Sequence, residues 1–175
     1  MADRERNVSI ITDCDQNRIV LINDIRFKAK AWEEWEDVKE LLKEYVGCEY
    51  VITDTEETIF IGEDFPDEYV GSEYTAGLWR NKLKAKANAG QAIPELISIA
   101  KSPSYEKNKK EKHESKAKLG WYKYPTKFAI PKYDRDTGEI SSYAIFAAEL
   151  LVRHDEDGIK YLYDLVNIKN GQNPI

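Results

Sequence analysis

The sequence predicts an α+β protein in which helices pack on an antiparallel sheet. Short runs of β-branched and aromatic residues, bounded by Asp, Asn and Gly clusters, recur near both ends of the chain, which is typical of strands joined by tight turns. Between them lie segments whose apolar residues repeat at helical spacing. No apolar run reaches the length that spans a bilayer, so we expect no membrane partner.

The first part of the chain, residues 1–70, predicts a small acidic α+β lobe. Residues 8–23 indicate a hairpin with an Asp-Gln-Asn turn. Residues 32–46 carry apolar side chains at helical spacing, and Gly47 is a suitable stop. Residues 49–64 indicate a second hairpin around Thr55. We expect this lobe to be distinct from a second domain formed by residues 71–175.

The second predicted domain begins with helix and ends with sheet. A long helical segment starts near Ser72, whose hydroxyl is a suitable cap, and Gly90 and Pro94 break or kink it. Residues 102–120 are too polar to have a core face and predict an exposed loop. Three strands follow, at residues 127–134, 140–155 and 159–169. The expected sheet is covered by helix on one face and is free to present side chains on the other.

Charge is distributed very unevenly along the chain. The net charge is −6, yet residues 1–75 hold 20 acidic and 8 basic side chains, whereas residues 76–132 hold 4 acidic and 14 basic ones. A cationic segment of this density attracts phosphates whatever the total charge. The alternative is that the acidic and basic segments neutralise each other, within one chain or between subunits.

Metal and nucleotide chemistry have little support in the sequence. The two histidines, His113 and His154, are far apart and have no partner at ligand spacing. Cys14 and Cys48 show no metal-type spacing, and a reduced cytosolic state is the default for such a pair. No phosphate-cradling glycine loop or nucleophile elbow is present. We therefore expect no metal and no cofactor.

Metal-free cleavage of RNA fits the residues that remain. It needs a base for the 2′-hydroxyl proton, an acid for the leaving oxygen, and cations that hold the phosphate. Histidine titrates near working pH, and arginine can fork onto a phosphate. The candidate catalytic residues are His113, Lys116, Lys118, Thr126, Arg153 and Tyr163, and the candidate nucleic-acid contacts are Lys82, Lys86, Lys109, Lys110, Lys112, Tyr122 and Tyr124.

Each of these residues also has a plainer interpretation. A histidine in a polar loop is more often a bystander than a catalyst, and a lysine run is usually a solvated face. Trp121 and Tyr122 beside Gly120 either seat the loop on the core or stack a base, and core anchoring is the favoured role for Trp121. Strand alternation places Glu149 and Arg153 on one face, so Glu149 either pairs with Arg153 or belongs to the site.

Several segments, taken in order, resemble a domain of phage and prophage proteins. They are "LINDIRFKAKAWEEWEDVKELLKEYVG", "IFIGEDFPDEYVGSEYT", "AKANAGQAIPELISIA", "KHESKAKLGWYKYPTKFAIPKYD" and "LLVRHDEDGIKYLYDLVNIK". The similar domain occurs at the C-terminal ends of Mu F-type head-morphogenesis proteins and within large polyvalent phage proteins, and the likeness runs from about Val8 to Asn173. Such domains are compared with the metal-independent ribonucleases of the barnase, EndoU, colicin E5/D and RelE group.

The resemblance implies a RelE/barnase-like fold and a nuclease-like toxin or effector delivered with phage. It implies RNA or tRNA as the substrate, and an immunity protein or a phage head or portal protein as further partners. The location would be the cytoplasm of a bacterial host or the virion. Alternatives are a non-catalytic module that binds nucleic acid or protein, and a structural virion domain that forms homo-oligomers through its charge asymmetry.

Overall fold

The structure, a computed structural model, describes residues 6–109 and 117–171. Its strands and helices in chain order are β1 (Val8–Thr12), β2 (Arg18–Ile22), α1 (Glu33–Lys43), β3 (Glu49–Val51), β4 (Thr58–Phe60), α2 (Phe65–Gly71), α3 (Glu73–Ala76), α4 (Arg80–Ala89), α5 (Ile93–Ser98), β5 (Ser104–Glu106), β6 (Trp121–Tyr133), β7 (Ile140–His154) and β8 (Lys160–Asn170). The α+β class is confirmed. No helix of the described residues is long and apolar enough to cross a membrane.

All the strands of the described residues join one sheet. Their order is β1-β2-β6-β7-β8-β4-β3, and β5 pairs with β6 outside this path. The long strands β6, β7 and β8 form an antiparallel meander, as the sequence predicted. The sheet as a whole is mixed, however, because β2 runs parallel to β6 and β4 runs parallel to β8. Long connections through the helices separate the strands of each parallel pair, and such connections allow parallel pairing.

The two hairpins predicted for the first seventy residues are present, and each lies at one edge of this sheet. β1 pairs with β2, and β3 pairs with β4. Because β2 and β4 bond to β6 and β8, a boundary at residue 70 separates neither two sheets nor two cores. Val20, Trp35, Ile59 and Leu150 belong to one buried cluster, although they lie on both sides of that boundary.

The helical region differs from the single broken helix predicted for it. Ser72 does act as an N-cap, since its hydroxyl accepts a hydrogen bond from the Thr75 backbone, but the helix it caps is the short α3. A second helix, α4, begins at Arg80, and a 3-10 turn at Gly90–Ala92 joins it to α5. Proline lies in the first turn of α5, where its missing donor costs nothing.

The two faces of the β6–β8 meander have different environments. Phe128, Leu150 and Val152 point towards the helices and are buried. Their neighbours in the strands, such as Lys123, Lys127 and Leu151, lie on the other face and remain half-exposed. We call this second side the open face. It is the face that the sequence predicted to be free to present side chains.

Candidate nucleic-acid interface

A cleft of about 510 Å³ lies at one end of the open face, and we call it the aromatic cleft. Its floor is the meander, its first wall is the α2–α3 corner, and its second wall is the chain just after β5. The lining residues are Glu68, Gly71, Ser72, Glu73, Tyr74, Glu106, Lys107, Asn108, Lys109, Trp121, Lys123, Leu151, Tyr163, Asp164 and Val166. Its volume is within the range of small-ligand sites.

Two aromatic side chains meet on the floor of the aromatic cleft. The ring centroids of Trp121 and Tyr163 are 5.0 Å apart, and their planes are inclined by 80°. The indole nitrogen of Trp121 donates a hydrogen bond to Asn108 Oδ1 at 3.3 Å, which ties the ring to the second wall. Partial burial, together with a hydrogen bond to Glu68, raises the pKa of Tyr163 above its usual value. Tyr163 is therefore a neutral phenol at physiological pH.

Three lysines and three glutamates border the aromatic cleft. Lys107 and Lys109 are exposed on the second wall, and Lys123 is half-exposed on the floor. The ammonium of Lys123 lies 3.7 Å from Glu106, a long contact between partly solvated groups that costs little to break. The cleft therefore offers cations beside aromatic rings, with acidic side chains concentrated on the α2–α3 wall.

A buried ion pair supports the floor from below. The Lys86 ammonium lies 2.5 Å from Asp164 Oδ1 and 2.5 Å from the Thr75 hydroxyl. The Ser72 hydroxyl donates to the second oxygen of Asp164 at 2.7 Å. Lys86 was a predicted nucleic-acid contact, but its side chain is fully buried. It fixes the α3 and α4 helices to β8 and does not reach the surface of this structure.

Arg153, a predicted phosphate ligand, is also engaged within the fold. Its guanidinium donates to Asp155 at 2.7 Å and to Asp64 at 3.1 Å, and only 7% of the side chain is exposed. Burial alone would lower the pKa of Arg153, but the hydrogen bonds that it donates to its two carboxylate partners raise it. Glu149, which the sequence offered as a partner for Arg153, instead accepts a hydrogen bond from Asn167 at 2.8 Å.

Three more predicted residues lie on the helix side of the meander. Thr126 is buried and donates to the Leu96 carbonyl at 2.9 Å. Tyr124 is buried and donates a hydrogen bond to Glu57. Desolvation raises the pKa of the Tyr124 phenol, and the hydrogen bond to Glu57 raises it further. Tyr122 packs against Tyr105 with centroids 5.2 Å apart. Because Tyr122 alternates with Trp121 along β6, it faces away from the aromatic cleft.

The structure brings only part of the predicted set together. Lys109 and Tyr163 line the aromatic cleft, whereas Lys118 is exposed near the β7–β8 turn and pairs with Glu156 at 3.2 Å. Lys82 is half-exposed on α4. The predicted residues Lys110, Lys112, His113 and Lys116 lie outside the described residues.

Sequence reasoning missed several residues that define the site. Lys107 and Lys123 line the aromatic cleft but were treated as part of a general cationic segment. Strand alternation from Trp121 would have placed Lys123 on the same face, but for Trp121 we favoured anchoring of the loop over stacking of a base. β5, which forms the base of the second wall, lies in the segment predicted to be a loop.

Among residues 6–109 and 117–171, no group of three or more His, Cys, Asp and Glu side chains is arranged to hold a metal ion. A scan against protein-family models found no match to this chain, and searches of curated proteins and of solved structures found none either.

Proposed function

We propose that this chain binds single-stranded RNA in the aromatic cleft. One observation carries the proposal: the Trp121 and Tyr163 rings share a cleft with Lys107, Lys109 and Lys123. Aromatic side chains that stack bases, next to cations that follow the phosphates, are the usual means of binding unpaired strands. A double helix cannot offer an unstacked base, so the aromatic component favours a single strand.

The acidic wall is compatible with this proposal. Glu68 and Glu73 belong to α2 and α3, on the far side of the cleft from Lys107 and Lys109. Carboxylates can accept hydrogen bonds from the N–H groups of bases, such as N3–H of uracil, whereas lysines attract phosphates. An RNA bound with its bases towards α2–α3 and its backbone towards Lys107 would therefore place base N–H groups near carboxylates and phosphates near lysines.

A second proposal is that the bound RNA is cleaved without a metal. Lys109 and Trp121 both line the cleft, and residues 110–120, which join them in sequence, include His113 and Lys116. In this reaction a base removes the 2′-hydroxyl proton, the 2′-oxygen attacks phosphorus, and the bond to the 5′-oxygen breaks as an acid protonates it. The products are a 2′,3′-cyclic phosphate and a 5′-hydroxyl. His113 would transfer the protons, and Lys116 would stabilise the charge on phosphate.

The biological setting belongs to the same proposal and rests on the resemblance to phage domains. In that setting the chain is an RNA- or tRNA-directed toxin or effector, in a bacterial host or with the virion. An immunity protein or a head or portal protein would be its protein partner. Without cleavage, the same cleft would serve a non-catalytic accessory module.

Binding is tested by fluorescence anisotropy with a labelled oligouridine RNA over a range of salt concentrations. The Lys107→Ala/Lys123→Ala variant removes two cations from the cleft, and Lys28→Ala/Lys43→Ala removes two exposed cations from elsewhere on the surface. Loss of two phosphate contacts should reduce the slope of log affinity against log salt by about 1.4. The control variant should keep the slope of the native protein. Equal slopes for all three proteins would refute binding in this cleft.

Stacking is tested separately with Trp121→Leu, which keeps an apolar side chain but removes the aromatic ring. The loss of one stacked base should weaken binding by about 1–3 kcal/mol. Cleavage is tested on total RNA in EDTA, with His113→Ala as the inactive variant and detection of the cyclic phosphate end. Intact RNA in the presence of tight binding would reject the second proposal and leave the first in place.

A further inference from the structure

A second cleft, of about 240 Å³, adjoins the open face at the edge of β6, between the pairings of that strand with β5 and with β2, and we call it the cationic cleft. Its lining residues are Asn17, Arg18, Ile99, Lys101, Pro125, Thr126, Lys127, Ala147, Ala148, Glu149, Asn167 and Lys169. Four of these side chains are cations and one is a carboxylate. None of the four cations was among the residues that the sequence singled out for nucleic-acid contact.

The cations of this cleft come from four separate parts of the fold. Arg18 is in β2, Lys101 follows α5, and Lys127 and Lys169 are in β6 and β8. Arg18 and Lys101 share one long contact with Asp54, at 3.8 Å and 3.7 Å, in which all the partners are partly solvated. Arg18 also donates to the Ser98 carbonyl at 3.4 Å. These contacts are all long and weak, so both cations can turn towards an anion at low cost.

The centre of the cationic cleft has small or restrained side chains. Ala147 and Pro125 present little bulk, which leaves room for a sugar-phosphate chain to approach the sheet. Glu149, the one carboxylate of the lining, is held by the amide of Asn167 at 2.8 Å. That hydrogen bond gives the carboxylate a partner within the fold, so Lys127 and Lys169 are not needed to neutralise it.

The two clefts are consecutive along the same face of the same strands. Lys123 and Leu151 pair across β6 and β7 in the aromatic cleft, and Pro125 and Glu149 form the next row of that face, in the cationic cleft. A step of two residues along a strand is about 6.6 Å, so Lys127 lies about 13 Å beyond Lys123. A ligand that leaves one cleft along the strands enters the other directly.

We propose that the cationic cleft binds the phosphate backbone of the same RNA strand whose base occupies the aromatic cleft. This inference rests on the proposed function and extends it. It predicts that the bound RNA covers both clefts and that its path follows the length of β6 and β7. A polyanion fits better than a single small anion, since the four cations surround an open groove that continues into a site for bases.

The test compares RNA length and charge removal in the same anisotropy measurement. Oligouridines of about 4 and about 12 nucleotides lie within the range of known single-strand site sizes. Denaturing gels of the recovered RNA confirm that it is intact. The variant is Lys127→Ala/Lys169→Ala, and the control is again Lys28→Ala/Lys43→Ala, which changes the net charge equally.

The native protein should bind the longer RNA more tightly, with a steeper salt dependence. In the Lys127→Ala/Lys169→Ala variant the slope for the longer RNA should fall by about 1.4, whereas binding of the shorter RNA should not change. If the shorter RNA binds but the variant leaves the longer one unaffected, the extended footprint is wrong and the proposed function survives. If the native protein binds neither RNA, both proposals fail.

Discussion

The Lys86 ammonium and the Asp164 carboxylate form an ion pair 2.5 Å apart in the interior, with 0% and 1% of their side chains exposed. The Tyr69 and Tyr74 rings lie within 4.7 Å and 5.1 Å of the ammonium. Burial lowers the pKa of Lys86 and raises that of Asp164, although each partner opposes the change in the other. The pair therefore connects α4 with β8 directly beneath the aromatic cleft.

Removing one member of this pair should be strongly destabilising. Lys86→Met leaves the Asp164 carboxylate buried without its counter-ion, which typically costs about 3–5 kcal/mol. Urea unfolding measures the change. Lys84→Met, a change of the same kind at a half-exposed position of the same helix, should remain within about 0.5 kcal/mol of the native protein.

The double variant Lys86→Met/Asp164→Leu should be more stable than either single variant, because it leaves no buried charge behind. If its destabilisation equals the sum of the two single ones, the two side chains do not interact and the ion pair described above is wrong.

Glu57 should contribute stability that depends on pH. Its carboxylate accepts hydrogen bonds from Lys160, at 2.6 Å, and from Tyr124. Partial burial alone would raise its pKa, but these bonds lower the pKa of Glu57 below its ordinary value of 4.5. A lowered native pKa means that the contribution is complete above the unfolded-state value and is lost as pH falls through the native value.

We therefore expect Glu57→Gln to be less stable than the native protein near pH 7, by about 1.5–3 kcal/mol. The difference should shrink as the pH falls below the ordinary value of 4.5 and disappear below the lower native pKa of Glu57. Denaturant unfolding at several pH values measures it. A destabilisation that stays constant over the whole range would show that the charge of Glu57 is not involved.

Arg153 should be needed for folding and not for binding. Its side chain is already occupied by Asp64 and Asp155, and lysine cannot reproduce that forked pair of hydrogen bonds. Arg153→Lys should lower the free energy of unfolding by about 1–3 kcal/mol, and RNA affinity per folded molecule should not change. A normal stability with lost RNA binding would instead identify Arg153 as a ligand of phosphate.

Gly120 should be intolerant of a side chain. Its φ is +98°, and a Cβ there would lie 2.5 Å from the ring of Tyr105, which is in β5 beneath the second wall of the aromatic cleft. Gly120→Ala should destabilise the protein by about 1–3 kcal/mol through strain and overpacking. Gly138→Ala shares the positive φ, +73°, but has open space around its Cβ position. Gly138→Ala should therefore lower the free energy of unfolding, measured with urea, by less than Gly120→Ala does. Equal losses would rule out a steric contribution from Tyr105.

Local patterns predicted the two hairpins, the main helix and the meander, but they placed the start of β6 at residue 127 instead of 121 and missed β5. Apolar spacing located α1, and Asp- and Gly-containing turns located the β6–β8 meander, because both signals depend on neighbours in sequence. The pairing of β2 with β6 and of β4 with β8 was not predicted. It depends on contacts between distant parts of the chain, and no local pattern encodes those contacts.

The site was predicted less well for a related physical reason. A lysine in sequence has the same appearance whether it is exposed, as Lys109 is, or buried on a carboxylate, as Lys86 is. The partner that decides between these, Asp164, is 78 residues away. Arg153 is similar, because its partner Asp64 is 89 residues away in the sequence. Residue type indicated the chemistry, but only the fold assigns each cation to the core or to the surface.

The most direct test of the account is amide NMR of the isotope-labelled protein titrated with a single-stranded oligouridine RNA. We predict that the largest shift changes occur at Lys123, Leu151 and Tyr163, on the floor of the aromatic cleft, and that residues of α1 do not change. Shift changes confined to α1 or to the helix side of the meander, or no changes at saturating RNA, would contradict the account.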